Sequence, residues 1–319
     1  MTGHLAGIDY HRRLLADEVR TLAFRDAIQA CVGADDVVVD VGAGTGILSL
    51  FAARAGARKV YAIESTAVAH LARQIVRDNG LEDRIEVLHA DARTVSLPEP
   101  ATVLVSECLG NFLMSDGMIG TLQTCARLLA PGARILPASV DLLMAPGSVG
   151  PLMGQLSAWT DPLYGFRFDA CTGSAQNDIY RAHVPPACLG TEGQSVARWN
   201  LTHPLPPGPW SAQWTFERDQ LIDGVVGWFT ADLGPKVPAL NTGPGVTTHW
   251  GQTLFPLPPT QVDAGDTMTF TLDVKLGHDD LAAYHWSGSF SAPGEPPCVF
   301  FERGQDLRFT PWRATDRVE

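Results

Sequence analysis

The sequence predicts an α/β fold, with a doubly wound, parallel-stranded first part and a mainly antiparallel β second part. Three observations carry this. Short β-branched runs alternate with helical periodicity between residues 37 and 129. Three glycines fall on alternate positions of VVVDVGAGTGILS (37–49), directly after the first such run. After about residue 136 prolines and glycines multiply, helical periodicity fades, and DTMTFTLDVKL (266–276) alternates with a period of two.

Taken in order, residues 9–31 place Leu14, Leu15, Val19, Leu22 and Ile28 on one helical face. VVVDV (37–41) is a buried strand, Ile47–Ala55 a helix, and KVYAIE (59–64) a second strand. Residues 66–79 form a helix, RIEVLHA (84–90) a third strand and ATVLVSE (101–107) a fourth, followed by a helical stretch ending near Leu129. In 266–276, Met268, Phe270, Leu272, Val274 and Leu276 oppose four threonine or charged positions and Lys275, one dry face against one wet. The chain divides into residues 1–136 and 137–319, with a less regular stretch at 152–182 inside the second part. There are no repeats and no low-complexity tract.

Composition narrows the functional classes. Hydrophobic residues make up 45% and charged residues 18%, ample for a packed core. No run of about 18 apolar residues appears, so no membrane-spanning helix is expected. The opening MTGHLAGIDYHRRLL lacks the basic and apolar regions of a signal peptide, and a cytoplasmic location is expected. Six cysteines show no C-x-x-C pair and no histidine at zinc-ligand spacing, so buried thiols are expected and no metal. The net charge of −12, without a basic stripe, disfavours nucleic acid. It either steers cationic partners or serves solubility alone.

Gly42, Gly44 and Gly46 follow a strand and open a helix, where a nucleotide-like ligand lies across the strand's carboxyl end. The dinucleotide fingerprint needs its third glycine where Ile47 stands, and no Lys-Ser/Thr pair follows, so neither a pyrophosphate site nor a P-loop fits. Glu64, ending the second strand, is placed to accept hydrogen bonds from two ribose hydroxyls. A nucleoside without phosphates fits best, and S-adenosyl-L-methionine is the common one. The alternative is a tight βα turn with a charged strand end.

Four separated motifs then resemble the protein arginine methyltransferases. They are DEVRT (17–21), DVGAGTGILSLFAARAGARKVYAIE (40–64), SECLGNFLMSDGM (106–118) and the Thr-His-Trp loop of THWGQTLF (248–255). The similarity runs from about His11 to about Phe290 and is weakest over 150–225. It implies a Rossmann-like methyltransferase domain joined to an antiparallel β-barrel. Residues 152–182 would be the dimerisation arm inserted in the barrel, making the chain a homodimer.

The resemblance also assigns roles. Methyl transfer from a sulfonium needs a nucleophile in line, and a guanidinium is a poor one because its charge is delocalised and its pKa exceeds about 12. Carboxylates hold it planar and draw its charge through bidentate hydrogen bonds. By resemblance Glu107 and Asp116 are these clamps; helix capping or a surface carboxylate is the bland reading of Glu107, and an Asp-Gly turn that of Asp116. His249 and Asp17 would accept the released proton or tie the first helix over the site. Arg20 would meet the cofactor's carboxylate with His11 near it, Asp40, Gly42, Gly44 and Glu64 would hold the rest, Asp91 or Arg93 would lie by the adenine, and Met118 by the sulfonium. Tyr10, Leu14 and Trp250 form the acceptor-binding set, although a tryptophan in a β domain is more often core.

Two departures concern the acceptor side. The family's paired tyrosines are reduced to Tyr10, and the second clamp is Asp116, one methylene shorter than glutamate. The donor is kept and the acceptor changed, which sets free arginine or another small guanidino compound beside an arginine-containing protein, with a single methylation expected. Methylation of another small amine, and an inactive cofactor-binding homologue acting as an interaction protein, remain open alternatives.

Overall fold

The computed structural model describes residues 7–110, 112, 119–153, 159–206, 208–276 and 282–305. Its first part is a five-stranded parallel sheet in the order β3-β2-β1-β4-β5, built from β1 (Val37–Val41), β2 (Lys59–Glu64), β3 (Ile85–His89), β4 (Ala101–Val105) and β5 (Leu129–Leu136). Helices α3 (Ile47–Arg54), α4 (Val68–Asp78) and α5 (Ile119–Cys125) connect the strands. β1 is buried at every residue, which is why it reads as an unbroken apolar run interrupted only by Asp40. The strand order reverses between β1 and β4, so their carboxyl ends flank the crevice where open α/β sheets bind ligands.

The expected single helix over 9–31 is two. α1 (Ile8–Ala16) and α2 (Glu18–Cys31) break at Asp17, whose carboxylate accepts from the Arg20 amide at 3.0 Å and so caps α2. Of the apolar face read from the sequence, Ile28 is buried, but Leu15, Val19 and Leu22 are each at least 40% exposed. The inward face of α2 instead carries Arg20, Thr21, Phe24 and Ala27.

The second part holds two antiparallel sheets. One runs β7-β12-β10-β6-β8, from β6 (Ser139–Gly147), β7 (Tyr180–Ala182), β8 (Gln194–Trp199), β10 (Gln220–Asp232) and β12 (Gln252–Val262), with β11 (Leu240–Asn241) on β10. The other runs β15-β14-β13-β9, from β9 (Trp210–Thr215), β13 (Thr267–Leu276), β14 (Ala282–Ser291) and β15 (Val299–Gly304). Met268, Phe270 and Leu272 are buried, as the alternation in 266–276 requires. They join aromatics between the sheets, where the Phe255 ring lies 5.5 Å from Trp286 and 6.1 Å from Phe270. Tyr180–Ala182, at the end of the stretch read as the arm, is an edge strand paired with β12. α6 (Thr172–Gln176) precedes it.

The two parts share one hydrophobic core. Phe112, from the loop after β4, packs edge-on against Phe255 at 5.8 Å and sits over Gly227, where a Cβ would approach its ring to 2.8 Å. The loop that carries Glu107 is thereby anchored to the β part.

Candidate active site

The site is assembled from strand ends. Gly42 and Gly44 continue β1 with φ of +74° and +54°, a region open to glycine at little cost. Their missing side chains leave space that neighbours use. A Cβ on Gly42 would strike the Cys108 sulfur, and one on Gly44 would lie 2.9 Å from the His11 ring. His11 is therefore laid directly on the glycine turn by α1.

Glu64 closes β2 and is buried. Its Oε2 accepts from the Gly44 amide at 2.9 Å and its Oε1 from the Thr66 amide at 2.7 Å. The carboxylate thus braces the turn, and each oxygen keeps a further lone pair for a hydroxyl. Asp40, one residue before the end of β1, is 1% exposed. Its Oδ2 accepts from Ser49 Oγ at 2.6 Å, while Oδ1 has no hydrogen-bond partner among the described residues. Burial pushes its carboxyl up to about 6, against the Ser49 hydrogen bonds and the Arg20 charge.

Glu107 follows β4 with its side chain 4% exposed, and is ion-paired with Arg20, which donates through Nε and Nη2 to the same Oε2. A surface carboxylate is set aside by that burial. Arg20, expected at a cofactor carboxylate, is paired here with Glu107, and its remaining donor reaches the Leu14 carbonyl and Thr21 Oγ1 at 3.4 Å. Asp17 joins the two parts of the molecule: its Oδ2 accepts from the His249 amide at 2.7 Å and lies 2.8 Å from His249 Nδ1. Burial alone would raise the Asp17 pKa. The hydrogen bonds from the His249 ring, the Arg20 amide and the His249 amide, with the charge of the ring, outweigh it and hold the carboxyl below its ordinary value.

Glu107, Arg20, Asp17 and His249 form one connected line, and Glu64, Gly44 and His11 form a second beside it. Tyr10, Leu14 and His249 line a common cavity. Of the expected site residues that are described, Trp250 alone is corrected. Arg93 turns back onto Asp91 in an exposed pair at 2.7 Å, and its hydrogen bonds are what hold Asp91 below its ordinary pKa. Trp250 is 2% exposed and packs on Phe229 at 5.1 Å, so it is core beneath His249 and not a wall of the cavity. Asp116 and Met118 lie outside the described residues. Sequence reasoning missed Ser49 and Thr66, which hold the two acidic residues, and neither carries a signal before its partner is placed. It also missed Cys108, which the motif around Glu107 contains.

The residues fit a bound S-adenosyl nucleoside on three counts: an orphaned buried carboxylate oxygen on Asp40, a glycine turn with no room for side chains, and Glu64 lone pairs at the end of β2. Residues 38–132 match the family model described as Methyltransferase domain. The chain is 31% identical over 297 residues to protein arginine N-methyltransferase 6 of Xenopus laevis, covering 87% of this chain and 86% of that one. It is 31% identical over 276 residues to protein arginine N-methyltransferase 1 of Chlamydomonas reinhardtii, covering 83% and 80%. Among solved structures it resembles the Trypanosoma brucei PRMT1 enzyme–prozyme heterotetrameric complex with AdoHcy, with a TM-score of 0.84, 25% identity and coverage of 94% and 98%. The Arabidopsis thaliana protein arginine methyltransferase 10 shares the fold at a TM-score of 0.83 and 23% identity, covering 95% and 99%.

Proposed function

The chain belongs to the protein arginine N-methyltransferase family, and from that premise we propose that it places a single methyl group on the guanidine of arginine, either free or in a protein. It is an S-adenosylmethionine-dependent arginine N-methyltransferase. The cofactor supplies an electrophilic methyl on a sulfonium. Asp40, Gly42, Gly44, Glu64 and His11 would hold it.

The observation that carries the acceptor reading is the Arg20–Glu107 pair. A guanidinium already fits the Glu107 carboxylate at the switch point of the sheet, buried on both sides. Arg20 and an acceptor guanidine compete for the same oxygen, so turnover requires Arg20 to release Glu107, and a cofactor carboxylate gives it another partner. Glu107 then orients the acceptor and draws positive charge from its reacting nitrogen, with Asp116 as the second clamp. His249, oriented by Asp17, ties α1 and α2 to the β part beside that carboxylate. The domains are taken as 1–136 and 137–319, and residues 152–182 as a homodimerisation arm. No described helix is long and apolar enough to cross a membrane, and a cytoplasmic location belongs to the same reading.

The test is mass spectrometry of products from L-arginine, with and without a Gly/Arg peptide as competitor. A single mass increment of one methyl on a guanidine nitrogen is expected. Glu107→Gln should reduce kcat by at least about a hundredfold, the scale of losing one preorganised electrostatic partner, with cofactor affinity within a few fold. Full activity in that variant rejects the clamp.

A further inference from the structure

His249 faces a cavity of about 340 Å³ whose lining includes Arg13, Leu14, Arg181 and His183. No aspartate or glutamate is among the described residues that line it. In a chain of net charge −12 this is a local inversion of sign. The size lies at the low end of the roughly 300–1,000 Å³ typical of small-ligand sites.

The inversion is built by the fold. β7 pairs with β12 so that Arg181 stands opposite Thr253 and Ala182 opposite Gln252. Gly251, at φ +61°, has no side chain, and a Cβ there would lie 3.2 Å from the Arg181 Cγ. The Arg181 stem therefore crosses the loop two residues from His249. Arg13, in the last turn of α1, approaches Asp9 at 3.4 Å in an exposed pair, and Arg12 binds the same carboxylate at 2.9 Å. Two guanidiniums on one exposed carboxylate leave positive charge at the rim, and such a pair exchanges at little cost. Asp17, the nearest buried carboxylate, is already engaged by the His249 ring, the His249 amide and the Arg20 amide.

We propose that this cavity binds a carboxylate carried by the acceptor, so that the acceptor is a small free guanidino acid with its guanidine at Glu107 and its carboxylate at Arg13 and Arg181. The inference rests on the reading of Glu107 as the guanidine clamp. A planar guanidinium matches a carboxylate bidentately, which a neutral rim would not. Glu107 is not among the residues that line the cavity; it is joined to the rim by the connected line of His249, Asp17, Arg20 and Glu107, and the acceptor's guanidine enters when Arg20 releases Glu107. The same chemistry could come from an acidic residue beside a peptide arginine, and the experiment separates the two.

L-arginine, agmatine (the same guanidine and amine without the carboxylate), a Gly-Arg-Gly peptide and an Asp-Arg-Gly peptide are compared with the full chain. Two readouts are taken: kcat/KM for methyl transfer, and affinity by calorimetry with S-adenosylhomocysteine at saturation. L-arginine should exceed agmatine at least tenfold in both. In Arg181→Gln and in Arg13→Gln that preference should collapse toward unity, and Arg181→Lys should recover part of it. Unchanged affinity for S-adenosylhomocysteine shows that the variants fold. If guanidines are methylated but L-arginine and agmatine are equal, the carboxylate site falls and the clamp reading stands. Preference for the Asp-Arg-Gly peptide over L-arginine overturns the small acceptor. If S-adenosylhomocysteine binds but no guanidino compound is bound or methylated, both readings fall.

Discussion

Asp40 shows how a single residue couples the site to stability. It is buried in the middle of a parallel sheet, with one oxygen on Ser49 and the other without a partner among the described residues. Desolvation disfavours its charge, and its carboxyl rises from an ordinary 3.8 to about 6. The direction of the stability effect follows from proton counting. Below the ordinary value both folded and unfolded chains hold the proton. Between 3.8 and about 6 the folded chain keeps a proton that the unfolded chain has lost, so stability falls as pH rises. At about 1.4 kcal/mol per pKa unit the loss is on the order of 3 kcal/mol. Asp17 acts with the opposite sign, since its depressed pKa contributes stability above the ordinary carboxylate range that is lost on acidification. Comparison with Asp40→Asn isolates Asp40. Urea unfolding across pH 4 to 7 should show the stability of wild type relative to the variant declining up to about pH 6 and flat beyond. A difference independent of pH means that Asp40 titrates normally.

At the scale of elements, the glycine turn and α1 depend on each other. Gly44 is both left-handed and pressed against His11, whereas Gly80 is left-handed at φ +63° with open space around it. Gly80→Ala should cost only the backbone term, about 1–2 kcal/mol. Gly44→Ala should cost more and also displace His11, seen as faster hydrogen exchange in α1 and weaker cofactor binding. Equal effects in the two variants would mean that α1 does not rest on the turn. The same pair of elements shows what the sequence could and could not tell. The turn, Glu64 and Glu107 were legible because their chemistry is tied to strand ends, and strands announce themselves by apolar runs bounded by glycine. The break at Asp17 was not, since apolar residues continue through it with helical spacing. Periodicity marks an apolar face without saying what covers it, and Leu15, Val19 and Leu22 turned out to face outward while Arg20 and Thr21 face in. Arg181 and His183 were invisible for a different reason. A three-residue edge strand has too few positions to show a period, and only its pairing with β12 brings them to His249.

For the whole molecule, the two parts of the chain pack into one shared core, yet two sets of apolar side chains remain outside it. Tyr164, Phe166 and Phe168 are 97%, 69% and 39% exposed on the segment before β7, and Leu15, Val19, Leu22 and Leu71 are at least 40% exposed on α1, α2 and α4. Aromatics at such exposure on a segment read as an arm, together with an uncovered helix face, are what a reciprocal two-fold interface needs, each copy offering both halves of the contact. The consequence reaches the active site, because α1 and α2 also carry His11, Asp17 and Arg20. Covering their outer face would hold these residues in place. Burying each aromatic is worth roughly 1.5–3 kcal/mol, counted twice by symmetry. A Tyr164→Ser/Phe166→Ser double variant should therefore raise the dimer dissociation constant by at least about a thousandfold. On the proposed homodimer, sedimentation should show dimer for the unmodified chain and monomer for the variant at the same concentration, and the variant's affinity for S-adenosylhomocysteine should fall with the loss of support under α1 and α2. A dimer that survives the double substitution places the interface elsewhere. A monomer that binds the cofactor undiminished separates assembly from the site.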